Sequence, residues 1–527
     1  MHVDVIEEFG ALERVRGDWE AAYAADPEAS FFMSWRWIAD WLAERQTVWL
    51  VLAARPTAAD DHYVAFLPLR MRVHFDGKRG FFNELYLAGS GYSDHAGVLT
   101  HPAFEAEAVA AFTDHLKKKL SWARLTMSNL WMSERRRRLL LSAFDERRFT
   151  HKDIDYLDKI TNTDVSVCPF ITLPSDWDAY LATLSANNRQ KIRRWLRKID
   201  ASEVYDITAT DADACPRDID TLLRLWKSKW AHRKGGRTER IVRCNRAMLT
   251  RCARNGSLFL PVFRHEGRPI AALAILVDPA KKTMLFFLAG RDETYDEAPA
   301  GYLLHAYAIR HAIARGFVTY DFLRGDEPYK YLFTSQDRRL RACAVTTRSG
   351  RNLSGSLDPR GLAVMRDLAL EQEDKDDMAA AERAHRQILA MQPDDAPTLY
   401  RLGRLLTARG EHAEAEGLLA RSLSIDPGAV DAWLKLALSR YALADDAAAL
   451  KACREVVRLQ PANEEANRLI LKLALSHPGL SAAPPRPGLH LDVAPGSKNG
   501  HAPDWRPPGP TGWSAPLAAP AGTTVRP

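Results

Sequence analysis

Six cysteines in 527 residues, none in a C-x-x-C pair, offer neither a zinc-type spacing nor a disulfide framework. Long apolar runs are also missing. The longest, residues 270–277, falls far short of the roughly 18–20 residues that cross a bilayer. The opening MHVDVIEEFG has no basic region leading into an apolar stretch, so no secretory signal is expected. An excess of one charge is lacking too: Lys+Arg (73) nearly balance Asp+Glu (67), for a net +6. That balance gives no support to DNA as a partner and makes a polyanionic ligand optional. There is no G-x-S-x-G elbow, no P-loop and no H-E-x-x-H, which removes the main sequence support for hydrolase, NTPase and metalloprotease chemistry. No metal site is expected. With 46% hydrophobic and 27% charged residues, the composition is that of a globular protein, expected in the cytoplasm with reduced thiols.

What is present is organisation. The length implies several domains, and composition shifts twice. From residue 477 onward the chain holds 12 of its 29 prolines among Gly, Ala and Ser, and is expected to be a disordered tail. Near residue 350, RSGRNLSGSLDPRG predicts a linker over 349–361. Between these breaks Pro393, Pro427 and Pro461 recur every 34 residues, each closing a helical pattern. Leu402-Gly403 aligns with Leu436-Ala437 and Ala415 with Ala449, with a weaker copy upstream around Met365, Leu368, Ala369 and Ala381. This is the helix-turn-helix period of tetratricopeptide (TPR) repeats over 362–476, whose concave face takes a protein or peptide partner. A generic helical hairpin array is the plainer alternative.

The first 350 residues alternate strand-like and helix-like patterns. Residues 35–42 read as a helix, VWLVLAAR and HYVAFLPLRMRV as a hairpin, and ARLTMSNL as a strand between two helices. Further on, LFLPVFR and PIAALAILV flank a tight HEGR turn, and TMLFFLAG follows as a strand. PAGYLLHAYAIRHAIARG reads as a helix with Pro299 in its first turn and Gly316 at its end, and FVTYDFLRG as the closing strand. The order implies an α+β fold.

Three separated signatures, SFFMSWRWIADWL, LSANNRQKIRRWLRKI and VTYDFLRGDEPYKYLFT, resemble CelD-like acetyltransferases. That branch of the GNAT superfamily is similar to the FemAB aminoacyltransferases. The resemblance covers roughly residues 5–345 and implies tandem GNAT-like halves, at 1–165 and 166–348, with the better-formed half second. It also implies acyl-CoA as co-substrate and a sugar or nucleotide-sugar acceptor, in exopolysaccharide or cell-envelope synthesis. In such enzymes the donor's pyrophosphate meets the N-terminus of the central helix, where free N–H groups favour an anion. Here that position is Ala300, Gly301 and Tyr302. The loop before it departs from the usual glycine pattern, and Asp296 and Glu297 sit where an anion should be welcome or act as cap residues.

Acyl transfer needs a group that takes the acceptor proton. In residues 321–330, Asp321 or Glu327 can serve as base, and Tyr329 can return a proton to the thiolate. Arg324 and Lys330 can hold a phosphate or carboxylate. In an extended strand Asp321 and Leu323 would share one face, Phe322 and Arg324 the other; alternatively, Asp321 and Arg324 form a structural ion pair. On the basic helix, Arg189, Arg193 and Arg197 line one side, which suits phosphate or is simply a solvated face. His95, His305 and His311 are expected as packed or surface histidines. Two other functions fit the sequence. A FemAB-like aminoacyltransferase would take its acyl group from aminoacyl-tRNA, the one route by which RNA enters. A non-catalytic adaptor would work through the TPR array alone.

Overall fold

A computed structural model of the chain describes residues 1–43, 48–89, 92–158 and 163–477. The expected tail lies outside the described residues from 478 onward. The described chain divides into two compact units, one formed by residues 1–74 and 82–361, the other by 75–81 and the helices from Leu362. Among the described residues no helix is long and apolar enough to cross a membrane.

The larger unit is mixed α/β and holds two eight-stranded sheets. Its first stretch supplies β1 (His2–Ile6), α1 (Phe9–Arg14), α2 (Arg16–Ala25), α3 (Trp35–Ala43), β2 (Trp49–Arg55), β3 (Ala65–Asp76), β4 (Gly80–Leu87), β5 (Leu99–Thr100), α4 (Glu105–Lys118), β6 (Arg124–Leu130), α5 (Glu134–Ser142) and β7 (Phe149–Asp153). A small pair, β8 (Leu157–Asp158) and β9 (Thr163–Asp164), leads into β10 (Val167–Thr172), α6 (Trp177–Thr183), α7 (Ala186–Asp200), β11 (Tyr205–Ala209), α8 (Cys215–Lys234) and α9 (Thr238–Arg254). Then come β12 (Leu258–Phe259), β13 (Pro261–His265), β14 (Arg268–Asp278), β15 (Thr283–Arg291), α10 (Ala300–Ala314), β16 (Thr319–Asp321), β17 (Gln336–Arg339) and β18 (Arg341–Thr347).

The second sheet runs β11-β13-β14-β15-β16-β10-β17, with β12 beside β14. The expected HEGR turn is there, with Glu266 and Gly267 both at positive φ. The continuous apolar run of β14 is buried from Ile270 to Leu276, because helices cover both faces of the sheet. On one face α10 packs with Ile192 and Leu196 of α7; α10 is apolar nearly all round, as a helix enclosed by neighbours must be. On the other face α8 and α9 pack, joined by Phe31, Phe32 and Trp37 from the amino-terminal stretch. The helix α8 crosses β15 so closely that a Cβ on Gly290 would lie 2.5 Å from the Leu222 carbonyl oxygen and 2.9 Å from the Trp226 nitrogen.

The first sheet runs β1-β2-β3-β4-β6-β18-β7, with β5 beside β3. It contains a strand the sequence division assigned elsewhere. Halves at 1–165 and 166–348 would leave residues 341–347 in the second sheet, yet β18 pairs with β6 and β7 in the first. Its neighbour β17, one residue earlier, pairs with β10 in the second. The chain changes sheets at the buried Leu340. Residues 349–361, expected to be a linker, also lie on the body. Asn352 accepts a hydrogen bond from the Asn83 amide (3.0 Å), Ser354 meets Ser121 (2.7 Å), and Leu357 and Asp358 are buried. Their Gly/Ser content serves turns that bond the body.

The smaller unit is a helical array: α11 (Leu362–Asp374), α12 (Met378–Met391), α13 (Ala396–Arg409), α14 (His412–Ile425), α15 (Val430–Ala442), α16 (Asp446–Leu459) and α17 (Glu464–Ser476). Side-chain caps recur every second repeat, at 377 and 445 and at 395 and 463, while Glu411 and Ala429 between them make none. Asp377, Asp395, Asp445 and Asn463 each accept an amide hydrogen bond from three residues on. The small residues Ala415, Ala432, Ala437 and Ala449 are fully buried where helices approach closely.

Because the space above Gly290 is backbone rather than a yielding side chain, Gly290→Ala should destabilise the body by about 1–3 kcal/mol. Gly301→Ala, which meets nothing within 4 Å, should leave the melting temperature unchanged or slightly higher. Paired melting curves check both.

Candidate active site

The strands β15 and β16 run parallel but pair at only three positions, Thr283↔Thr319, Met284↔Tyr320 and Leu285↔Asp321. Beyond them β15 continues to Arg291 while β16 stops, so the two part at Asp321. Just past Leu285, β15 carries an irregularity against β14: Ala274 faces Leu288 and Ile275 faces Phe286, leaving Phe287 as the extra residue. The strand ends earlier than FVTYDFLRG predicts. The two-faced alternation expected through Arg324 therefore does not form, because Leu323 takes φ +54° and turns the chain.

A buried leucine in the left-handed region is strained and needs outside support. Lys330 supplies it. Its buried ammonium donates to the carbonyls of Arg324 (2.8 Å), Gly325 (3.0 Å) and Leu323 (3.4 Å), and pairs with Glu327 at 2.9 Å. Lys330 and Glu327 thus hold the loop together, which occupies the charges expected to bind an anion or act as base. Arg324 donates to the Val165 carbonyl at 3.0 Å, lies over the Tyr156 ring and faces Asp94 at 3.7 Å.

Asp321 is 2% exposed and accepts the Leu323 amide at 2.7 Å. Burial pushes its carboxyl up to about 6, against the opposing pull of Arg338, 3.5 Å away, which keeps the shift from being larger. Arg338 lies between two halves of the body, over Phe170 at 3.9 Å and over Trp131 at 4.4 Å. Trp131 in turn stacks on His95 at 3.9 Å. His95 is buried as expected for a packed histidine, and burial holds its imidazole well below the usual range. Neither ring nitrogen has a hydrogen-bond partner among the described residues.

Asp94, Trp131, Tyr156 and Arg338 carry no motif, and sequence reasoning passed over them; only the sheet exchange at Leu340 brings them to Asp321. Tyr329 is 40% exposed, its ring 5.9 Å from His305. His305, pushed down to about 3 by burial, meets the Tyr320 hydroxyl through Nδ1 at 3.0 Å. His311 is half-buried and stacks on Phe259 at 4.2 Å.

The start of α10 joins two features that the sequence kept apart. Pro299 caps it without a side-chain hydrogen bond. Tyr302 packs on Phe333, and its hydroxyl donates to the Asn188 carbonyl of the basic helix at 3.4 Å. Lys191, from the same helix, stands 4.9 Å over the Tyr302 ring. Basic charge therefore sits beside Ala300, Gly301 and Tyr302. Arg189, half-buried, lies on this helix one residue past Asn188, whereas Arg193 is exposed and paired with Asp178 at 2.7 Å. Of the acidic residues in the loop before α10, Asp292 pairs with Arg268 and Glu293 with Arg291 at 2.8 Å, while Glu297 lies 3.8 Å from His265.

The stretch that holds the parted parallel strands and the central helix is also the stretch that a family comparison matches. Residues 186–331 match the model described as an acetyltransferase (GNAT) domain. These residues form a GNAT-type acetyltransferase domain. A tetratricopeptide repeat follows at 397–439. No curated protein matches the chain. Among solved structures, a conserved protein of unknown function from Bacteroides thetaiotaomicron is 13% identical, covering 66% of this chain and 100% of its own, at a TM-score of 0.38. The Sgt2 TPR domain from Aspergillus fumigatus is 19% identical over 26% of this chain and 93% of its own, at 0.21. The second TPR domain of human RPAP3, in complex with an HSP70 peptide, is 17% identical over 22% and 98%, also at 0.21. Among the described residues of the GNAT domain and its surroundings, no group of three or more His, Cys, Asp or Glu could hold a metal ion.

Lys330→Met keeps the length of the side chain but strands three loop carbonyls, so it should cost about 1–3 kcal/mol. Glu327→Gln, which keeps an acceptor at the half-buried end of the same clamp, should cost less than Lys330→Met. Chemical denaturation of both variants checks the ranking.

Proposed function

We propose that the GNAT domain transfers an acyl group from acyl-CoA to an amine or hydroxyl of a sugar or nucleotide-sugar acceptor, in exopolysaccharide or cell-envelope synthesis. Asp321 is the general base. It takes the proton as the acceptor nitrogen or oxygen attacks the thioester carbonyl. The new C–N or C–O bond forms, the C–S bond breaks, and Tyr329 protonates the departing thiolate. Ala300, Gly301 and Tyr302 receive the donor's pyrophosphate at the α10 N-terminus, with Lys191 and Arg189 adding charge. Arg324, beside Asp94, orients the acceptor. Arg193 is left outside this set by its pairing with Asp178.

The observation that carries the reading is the buried Asp321 carboxyl at the fork of β15 and β16, titrating near 6. A base with that value is ionised at neutral pH yet still basic enough to accept a proton. The repeats at the carboxyl end recruit a protein or peptide partner, the usual work of a short solenoid.

The sign of the pH dependence follows. Transfer needs ionised Asp321, so the rate should rise with pH through about 6 and then level off. Asp321→Asn should remove that limb and lower the rate by about 10²- to 10⁴-fold. Stability moves the other way. The folded carboxyl titrates above its ordinary 3.8, so the stabilisation present below that value is lost as pH rises through about 6. At pH 8 the asparagine variant should therefore melt no lower than the parent. A variant that melts several degrees lower with undiminished transfer would make Asp321 a structural partner of Arg338 instead.

A further inference from the structure

Behind the fork, α3 and α9 enclose an open cavity of about 780 Å³, counting the solvent at its mouth. Its aromatic lining is Trp37, Trp41 and Tyr92, and three guanidinium groups surround it: Arg36, Arg243 and Arg251. Among the described residues Asp40 is the one acidic residue lining it, and it lies 3.9 Å from Arg251. Arg36 is exposed and donates to the Asn255 carbonyl at 3.1 Å, with no ion-pair partner among the described residues. Arg243 is exposed on α9 and has no ion-pair partner among the described residues. Among the described residues the lining thus combines three guanidinium groups and one carboxylate with aromatic rings, the mixed lining of a site for a small charged ligand.

One chain segment, residues 92–95, runs from the cavity wall to the side chains around Arg324. Tyr92 lines the cavity; Ser93 accepts a hydrogen bond from the Trp37 indole at 2.8 Å; Asp94 faces Arg324; and His95 stacks on Trp131. Trp37 also meets Phe287, the extra residue at the fork, at 6.2 Å between ring centroids.

We infer that this cavity is the acceptor site and that the acceptor is an anionic ring compound, a monosaccharide-sized ring bearing a phosphate or a carboxylate. This deepens the acyltransferase reading and rests on it. The anion sits among Arg36, Arg243 and Arg251, where a delocalised guanidinium fork matches the oxygens of either group. The ring lies against Tyr92 and the edges of the two tryptophans, leaving its free hydroxyl or amine toward residues 93–95 and the fork.

The test is calorimetric binding to the full chain, with glucose 1-phosphate, glucuronate and neutral glucose as probes and acetyl-CoA measured in parallel. Glucose 1-phosphate, glucuronate or both should bind at least tenfold more tightly than glucose, and which of them binds identifies the anion. Arg243→Glu should weaken that binding at least tenfold. Ala247→Trp, which places an indole at the mouth from an exposed position on α9, should abolish it. Arg254→Glu, an exposed reversal on the same helix outside the cavity, should change binding less than twofold. All three variants should bind acetyl-CoA as the parent does. Equal affinity for the charged and neutral rings, or unchanged binding in both Arg243→Glu and Ala247→Trp, overturns the assignment. Loss of acetyl-CoA binding by the parent would instead count against the donor half of the acyltransferase reading.

Discussion

Between Gln336 and Thr347 the chain leaves one sheet and enters the other, with β17 hydrogen-bonded to β10 and β18 to β6 and β7. Pulling this segment away would remove an edge strand from the second sheet and an interior strand from the first. The two sheets therefore share a structural member, and the surfaces between them are fixed by backbone hydrogen bonds as well as by side-chain packing. Arg338 sits on this segment, two residues before the crossing. Its guanidinium is held between Phe170 of one sheet's strand β10 and Trp131 just past β6 of the other. That placement sets the field around Asp321.

Two opposing effects then decide the character of Asp321. Burial disfavours its charge, while Arg338, the Leu323 amide and Lys330 favour it, and burial wins by enough to leave the carboxyl near 6. The Leu323 amide is available because the chain turns there into the left-handed region, and that turn persists because Lys330 holds the carbonyls after it. Strain in one residue, a buried lysine and a raised carboxyl are a single connected arrangement. It explains how a short segment dense in charge can be largely buried without unfolding the loop.

Much of this was legible in the sequence. The 34-residue proline spacing gave the helical array, and hydrophobic patterns located α3, β14, β15 and α10 to within a few residues. Asp321 was legible as a candidate because its segment concentrates acid, base and tyrosine near a strand end. The roles of its neighbours were not. A lysine that binds a phosphate and one that caps carbonyls look alike until the loop's path is known, and only the turn at Leu323 separates them. The linker reading failed for a related reason, since Gly and Ser mark turns whether the turn is free or bonded to the body, as Ser354 is to Ser121. Asp94, Trp131 and Arg338 had no local signal at all. They reach the site through strand pairing between residues two hundred positions apart, which periodicity does not record.

Proton abstraction at the fork requires an ionised Asp321. Carbon-13 NMR of aspartate-labelled full-length protein, with the resonance assigned by its absence in Asp321→Asn, follows that ionisation directly. Measured in one buffer, the titration midpoint of the Asp321 carboxyl should lie near 6 and coincide with the acidic limb of kcat/KM for acyl transfer. A midpoint below 4, or a limb more than one pH unit away from it, would contradict the assignment of Asp321 as the base.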